Sequence, residues 1–299
     1  MAGTKILIYS RSGGGKTTLI GELAEWIFAT LGKTTLIWTA DKGGYKSIQP
    51  YIDLGIIRVI EIGNTDPFVF LNKSANGFER DSTGKWVKAN LTNVGLIANE
   101  SFRSHADGMM MTMEQKLASG VNIGGSANIS FTAASDGESL KISAGNMSIY
   151  GVAQNQIRNE VWNSHKLDVP YLVWTSAVSK DEDINAAGKI LGPDVIGKAM
   201  TTVTPYWFDY TFRLDTIAAQ NGKPERHLLY LGQHVDVNAG GAAGLGNIRM
   251  PLDGTLAQNV IEPASLVKAL AILKDGSSTA TDAIRKRLGA KLDALKTKS

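Results

Sequence analysis

The 299-residue chain carries 31 basic and 28 acidic residues, a net charge of +3 that is too small to imply a polyanionic partner by itself. Cysteine is absent, which excludes disulfides, thiol catalysis and cysteine-based zinc sites, and the four histidines (His105, His165, His227, His234) show no metal-ligand spacing. No apolar run approaches the ~20 residues of a membrane span, and the sequence runs at once into its first strand without room for a signal peptide, so a cytoplasmic protein with no membrane contact is expected.

Ile6 to Tyr9 form a short apolar run, Ser10 to Gly15 a Gly/Ser-rich turn, and Thr18 to Leu31 a helical segment. A strand that feeds a glycine loop into a helix N-terminus is the setting of a phosphate-binding loop. The pattern G-x-x-x-x-G-K-[ST] is met with Ser10 in place of the first glycine. Glycines let backbone N–H groups curl around phosphate oxygens, and the helix end adds partial positive charge. Ser10, Arg11, Ser12, Gly13, Gly14, Gly15, Lys16, Thr17 and Thr18 are the expected nucleotide contacts. Within that set, Lys16 would reach the β- and γ-phosphates and Thr17 would place its hydroxyl on Mg²⁺. The bland alternative is a glycine-rich turn that only caps a helix.

Thr34–Ala40 and Ile56–Ile62 are apolar, β-rich runs suited to parallel strands buried on both faces. Residues 72 to 90 are polar, with turn signals at Asn76-Gly77 and Thr83-Gly84, and read as a surface hairpin or loop. Val94–Ala98 is a further strand, ended by Asn99-Glu100-Ser101, and Met109–Leu117 is helical. Residues 119 to 147 are rich in Ser, Gly, Ala and Asn, with alternating runs at Asn128–Thr132 and Ser139–Ser143, and read as a projecting hairpin or a mobile loop. Helical spacing returns over Gln154–Lys166, and Tyr171–Thr175 is a strand. Tyr206–Leu214 and His227–His234 read as two more strands around an Asn221-Gly222 turn, before a glycine-rich stretch at 238–249. Pro263–Leu273 and the basic Thr281–Leu295 are expected helices. Strands alternating with helices behind a phosphate loop give an α/β, doubly wound, mostly parallel sheet with a C-terminal helical tail. The division expected is a nucleotide-binding domain over 1–262, with the insertion at 119–147, and a basic helical segment over 263–299.

Hydrolysis needs a metal-holding acid and a group that orients water, beyond the loop itself. Glu100, at the end of a strand and followed by Ser101, is assigned to Mg²⁺, together with Thr17. Asp41 ends the second strand and would poise the attacking water, with a turn or N-cap role before Lys42-Gly43-Gly44 as its alternative. Thr175 and Ser176 would sense the γ-phosphate, against the reading of satisfied strand-end hydroxyls. The catalytic set is thus Lys16, Asp41, Glu100 and Thr175.

This order of pieces resembles the RecA-like P-loop ATPase core, and more narrowly the phage-encoded RecA-like ATPases associated with single-strand annealing and recombination. Leu36-Ile-Trp-Thr-Ala-Asp41 stands where that family carries its catalytic carboxylate. Leu96-Ile-Ala-Asn-Glu100-Ser101 is similar to the family's hydrophobic run ending in Asp-Ser, with Glu in place of Asp. Tyr150–Arg158, Tyr171–Ser176 and Gly192-Pro-Asp-Val-Ile-Gly-Lys198 also resemble family segments, over about residues 4 to 235. The resemblance implies ATP and Mg²⁺ as cofactors, a homo-oligomer, DNA as partner with single strands favoured, and the host cytoplasm if the source is viral. Arg249, beyond the glycine run, is the candidate for a finger reaching a neighbour's nucleotide. The insertion at 119–147 has only Lys141 as a basic residue beside Asp136 and Glu138, so it suits an oligomer contact as well as DNA.

Four activities compete: a DNA-dependent ATPase of recombination or replication, a DNA-packaging or virion-assembly motor, a nucleotide-gated assembly protein with slow hydrolysis, and a small-molecule kinase. Arginine is sparse between 120 and 155, where a kinase lid would need it, so the kinase ranks last. No Asn/Thr-Lys-x-Asp guanine-reading motif occurs, which favours ATP.

Overall fold

The computed structural model describes residues 3–41, 43–120, 128–132, 139–143, 148–178, 190–196, 198–217, 219, 225–231, 234–236, 242–244, 247–248 and 260–275. The expected glycine-rich stretch at 238–249 lies largely outside these residues; Arg249 and the basic helix Thr281–Leu295 lie wholly outside them.

The elements in chain order are β1 (Thr4–Ser10), α1 (Lys16–Leu31), β2 (Thr34–Thr39), α2 (Gln49–Asp53), β3 (Ile57–Glu61), α3 (Pro67–Ala75), β4 (Phe78–Arg80), β5 (Trp86–Lys88), β6 (Val94–Glu100) and α4 (Phe102–Ala118). They continue with β7 (Asn128–Thr132), β8 (Ser139–Ser143), α5 (Ile149–Ser164), β9 (Tyr171–Ala177), β10 (Ile190–Leu191), α6 (Lys198–Val203), β11 (Tyr210–Ile217), β12 (Arg226–Leu231), β13 (His234–Asp236), β14 (Ala242–Gly244), β15 (Asn247–Ile248), β16 (Val260–Ile261) and α7 (Leu266–Asp275).

The main sheet runs β16-β12-β11-β1-β9-β6-β2-β3. From β3 to β11 every pairing is parallel, and β12, β15 and β16 add antiparallel pairings at the β11 side. The doubly wound, mostly parallel sheet expected from the sequence is therefore present. Its strands are buried on both faces, so they read as continuous apolar runs: Ile6 to Tyr9 are fully buried.

The two faces carry different cores. Ile6, Ile8, Ile37, Leu96, Ala98 and Val173 point toward α1 and α7 and pack on aliphatic residues such as Ile20, Leu23 and Leu270. Leu7, Trp38, Ile97 and Trp174 point the other way, into an aromatic core with Phe68, Phe70, Phe102 and Phe208 beneath α3, α4 and α5. Period-2 alternation along each strand produces this separation.

Several boundaries differ from the sequence reading, and the hairpin expected within 119–147 agrees with it. β6 continues through Asn99 and Glu100, because Thr39 pairs with Glu100 and keeps the ladder intact to its end. Part of the 72–90 stretch belongs to α3, which Asp66 caps by accepting from the Phe68 N–H at 2.9 Å and which opens on Pro67. The remainder forms the β4–β5 hairpin, with Arg80 over the Trp86 ring. Within 119–147, β7 and β8 pair as an antiparallel hairpin at the two runs named from the sequence.

Candidate nucleotide site

The loop Arg11–Gly15 leaves the carboxyl end of β1 in the middle of the sheet and turns directly into α1. Two glycines have positive φ, Gly13 at 74° and Gly15 at 92°, a region that L-residues rarely adopt. Gly14 is needed for space instead: a Cβ there would lie 2.7 Å from Ser10 Oγ. α1 begins with no side-chain cap and no acid in its first turn, so its leading N–H groups and the positive end of its dipole remain available to an anion.

Lys16 folds back over this loop. Its Nζ donates to Ser10 Oγ at 3.2 Å, to Arg11 O at 3.4 Å and to Ser10 O at 3.5 Å. Burial lowers the ammonium pKa, against the opposite pull of Glu100 and Asp41. Arg11, Ser12, Gly13 and Thr18 are exposed around the loop. On the far side of the loop lies a cleft of about 480 Å³, bordered by Arg11, Gly13, Gly14, Arg213, Asp215 and Tyr230. Arg213 is buried and held to Asp215 by paired 2.9 Å contacts.

Four strand ends place polar groups on the α1 face, three of them level and Ser10 two residues further along β1. Sheet order and strand alternation bring together Thr39 of β2, Glu100 of β6, Thr175 of β9 and Ser10 of β1. The crevice outside the carboxyl ends of parallel strands is where such folds bind ligands. Thr17 Oγ1 donates to Glu100 Oε1 at 2.8 Å, which joins the two residues assigned to the cation. Glu100 is only 5% exposed, and burial pushes its carboxyl up to about 7. The Thr17 hydrogen bond and Lys16 pull it down, while Asp41 pushes it further up. The Glu100–Ser101 peptide is cis.

Thr175 is fully buried, and its hydroxyl has no hydrogen-bond partner among the described residues. Ser176 faces away from Thr175 and donates to Asp194 O at 2.9 Å, so it behaves as a satisfied strand-end hydroxyl. Asp41 lies just past β2, exposed, with its N–H donating to Thr39 Oγ1 at 3.0 Å. The structure adds a residue that the sequence reading did not name: Ser104, in the first turn of α4, donates from Oγ to Asp41 Oδ1. No local motif marks it, since positions 41 and 104 meet only through the sheet order.

The described residues contain no helix long and apolar enough to cross a membrane, and no cluster of three or more His, Asp or Glu side chains able to hold a metal by themselves. No protein-family model matches the sequence, and no curated protein matches it. Among solved structures, the chain is similar to a KaiC-like protein from the hyperthermophilic archaeon Pyrococcus horikoshii OT3, at 11% identity and a TM-score of 0.39, covering 77% of this chain and 78% of that one. A phosphate loop on a central parallel strand, an acid ending a strand separated from it by β9, and helices on both faces make this chain an α/β, doubly wound fold with a mostly parallel sheet.

Proposed function

We propose that the chain is a Mg²⁺-dependent ATPase that works as a homo-oligomer on DNA, in phage-type recombination or replication. The observation that carries the ATPase reading is the 2.8 Å hydrogen bond from Thr17 to Glu100 at the mouth of the phosphate loop. A glycine-rich turn that merely capped a helix would need neither a buried acid from a distant strand nor a lysine folded over the loop.

Backbone N–H groups of residues 11–15 and Lys16 bind the phosphates, and the nucleoside extends into the cleft beside Arg213 and Tyr230. The donor set fits a hard cation. Thr17 and Glu100 supply two oxygens, the hard donors such a cation takes. Thr17 and Glu100 would hold Mg²⁺, which when bound neutralises charge on the phosphate oxygens. Asp41 orients the attacking water and accepts its proton. Thr175 offers its free hydroxyl to the terminal phosphate. DNA as partner and the recombination role rest on the resemblance of residues 4–235, and a trans-acting Arg249 belongs to the same proposal.

Phosphate release from the purified chain, measured with single-stranded DNA, with duplex DNA and without either, tests the reading. Stimulation by single strands of several-fold is expected. Stimulation by duplex alone would replace the recombination role with a packaging-type motor. Nucleotide binding without any release would make the chain a nucleotide-gated assembly protein.

A further inference from the structure

We propose that Ser104 is a positioning residue for the water-orienting carboxylate, the middle member of a hydroxyl relay that runs Ser101 to Ser104 to Asp41. The inference rests on the ATPase reading above.

A serine hydroxyl has one proton to give. Ser104 Oγ gives its proton to Asp41 Oδ1. The 3.1 Å contact between Ser101 Oγ and Ser104 Oγ must therefore be filled by the Ser101 proton, which fixes the direction of the whole relay. Ser101 is a firm starting point: it is 8% exposed, adjoins Glu100 in the chain, and caps α4 by accepting from the Ser104 N–H at 3.4 Å. The same turn is tied down from outside by Arg103, which bonds Asp107 at 2.7 Å and both oxygens of Asp194 at 3.2 Å.

Asp41 has no comparable support of its own. It is exposed and follows the last residue of β2, and its backbone is held by Thr39. The Ser104 bond engages one carboxylate oxygen and fixes the side-chain rotation, which leaves Oδ2 to meet water. Asp41 is thus set by the turn that opens α4 directly after Glu100, whose own carboxyl is held by Thr17. Orientation of this kind acts on the rate of the chemical step and leaves phosphate binding by the loop untouched.

Steady-state ATP hydrolysis with Mg²⁺ tests this in wild type, Lys16→Ala, Ser104→Ala, Ser104→Thr, Asp41→Asn and the Ser104→Ala/Asp41→Asn double variant. Ser104→Ala should lower kcat about tenfold with KM within about twofold, since misplacement of a reacting group costs rate. Ser104→Thr should recover most of that loss. In the Asp41→Asn background, Ser104→Ala should cost nothing more, because residues acting as one unit are non-additive. Wild-type kcat in Ser104→Ala, or a further tenfold loss on top of Asp41→Asn, would overturn the relay while leaving the ATPase reading in place. Hydrolysis that survives Lys16→Ala would overturn the ATPase reading, and the relay with it.

Discussion

The two faces of the central sheet divide the work of the molecule. On the α1 face the core is mostly aliphatic, with Tyr171 and Phe212 buried among Ile, Leu, Val and Ala, and it supports the helix that begins at the phosphate loop. On the opposite face the core is aromatic, and it supports α4, whose first turn reaches Asp41. Phe102 stacks on Trp174 with ring centroids 4.6 Å apart, and Trp38 stacks on Trp86 at 5.9 Å. This face also holds amide and imidazole groups in apolar surroundings: neither side-chain atom of Asn99 and neither ring nitrogen of His105 has a hydrogen-bond partner among the described residues. Phosphate binding with Glu100 belongs to the α1 face and the α4 contact to Asp41 to the aromatic face, so each can be damaged alone.

The largest effect is expected from the aromatic face. Trp174→Ala removes the Phe102 stack and the Trp174 Nε1–Ser164 Oγ hydrogen bond of 3.2 Å. It should destabilise the fold by about 3–5 kcal/mol, the range for a large aromatic cut back to Ala in a core. Urea unfolding would show this as a lower midpoint at constant slope, while nucleotide affinity at low urea should persist because the loop sits over the other core. A loss below about 1 kcal/mol, or loss of nucleotide binding in a folded variant, would break the division of faces.

A smaller effect is set by pH. His105 is fully buried, and burial pushes its imidazole down to about 4; His165 is pushed down to about 4 by burial and by Lys5. Below the ordinary histidine value near 6.5 the unfolded chain takes up a proton that the folded ring refuses. The stability His105 contributes is therefore complete above pH 6.5 and is lost as pH falls toward 4, by up to about 1.4 kcal/mol per pH unit. Glu100 and Glu160, both raised by burial, act in the opposite sense. The clean readout is consequently the difference between wild type and His105→Phe, which keeps the ring packed on Phe70 and removes the titration. That variant should gain on wild type as pH is lowered from 7 to about 4.5. Parallel melting-temperature curves over this range would contradict the buried neutral imidazole.

How much of this could be read from the sequence depends on the distance over which each feature is encoded. The phosphate loop is local: nine consecutive residues, Ser10 to Thr18, specify its turn, its lysine and its hydroxyl. The sheet strands are equally plain, because burial on both faces makes Ile6–Tyr9 or Tyr171–Trp174 unbroken apolar runs. Glu100 was recognisable as a strand-end acid, but its placement inside β6 was not. Asn and Glu are poor strand formers, and only the pairing with β2 keeps them extended. α3 was obscured by the polar residues Asn72, Lys73 and Ser74, although Asp66-Pro67 ahead of Phe68 is a start signal. Ser104 could not be read at all, since its partner lies 63 residues away and meets it only after β2, β6 and α4 are assembled.

The most direct test of the account is Mg²⁺-dependent phosphate release from ATP by wild type beside Lys16→Ala. Loss of about 10²–10³-fold in kcat/KM is expected for the variant, the scale of removing one preorganised charge at a transferring phosphate. Equal rates in the two proteins would contradict the assignment of this loop as the nucleotide site.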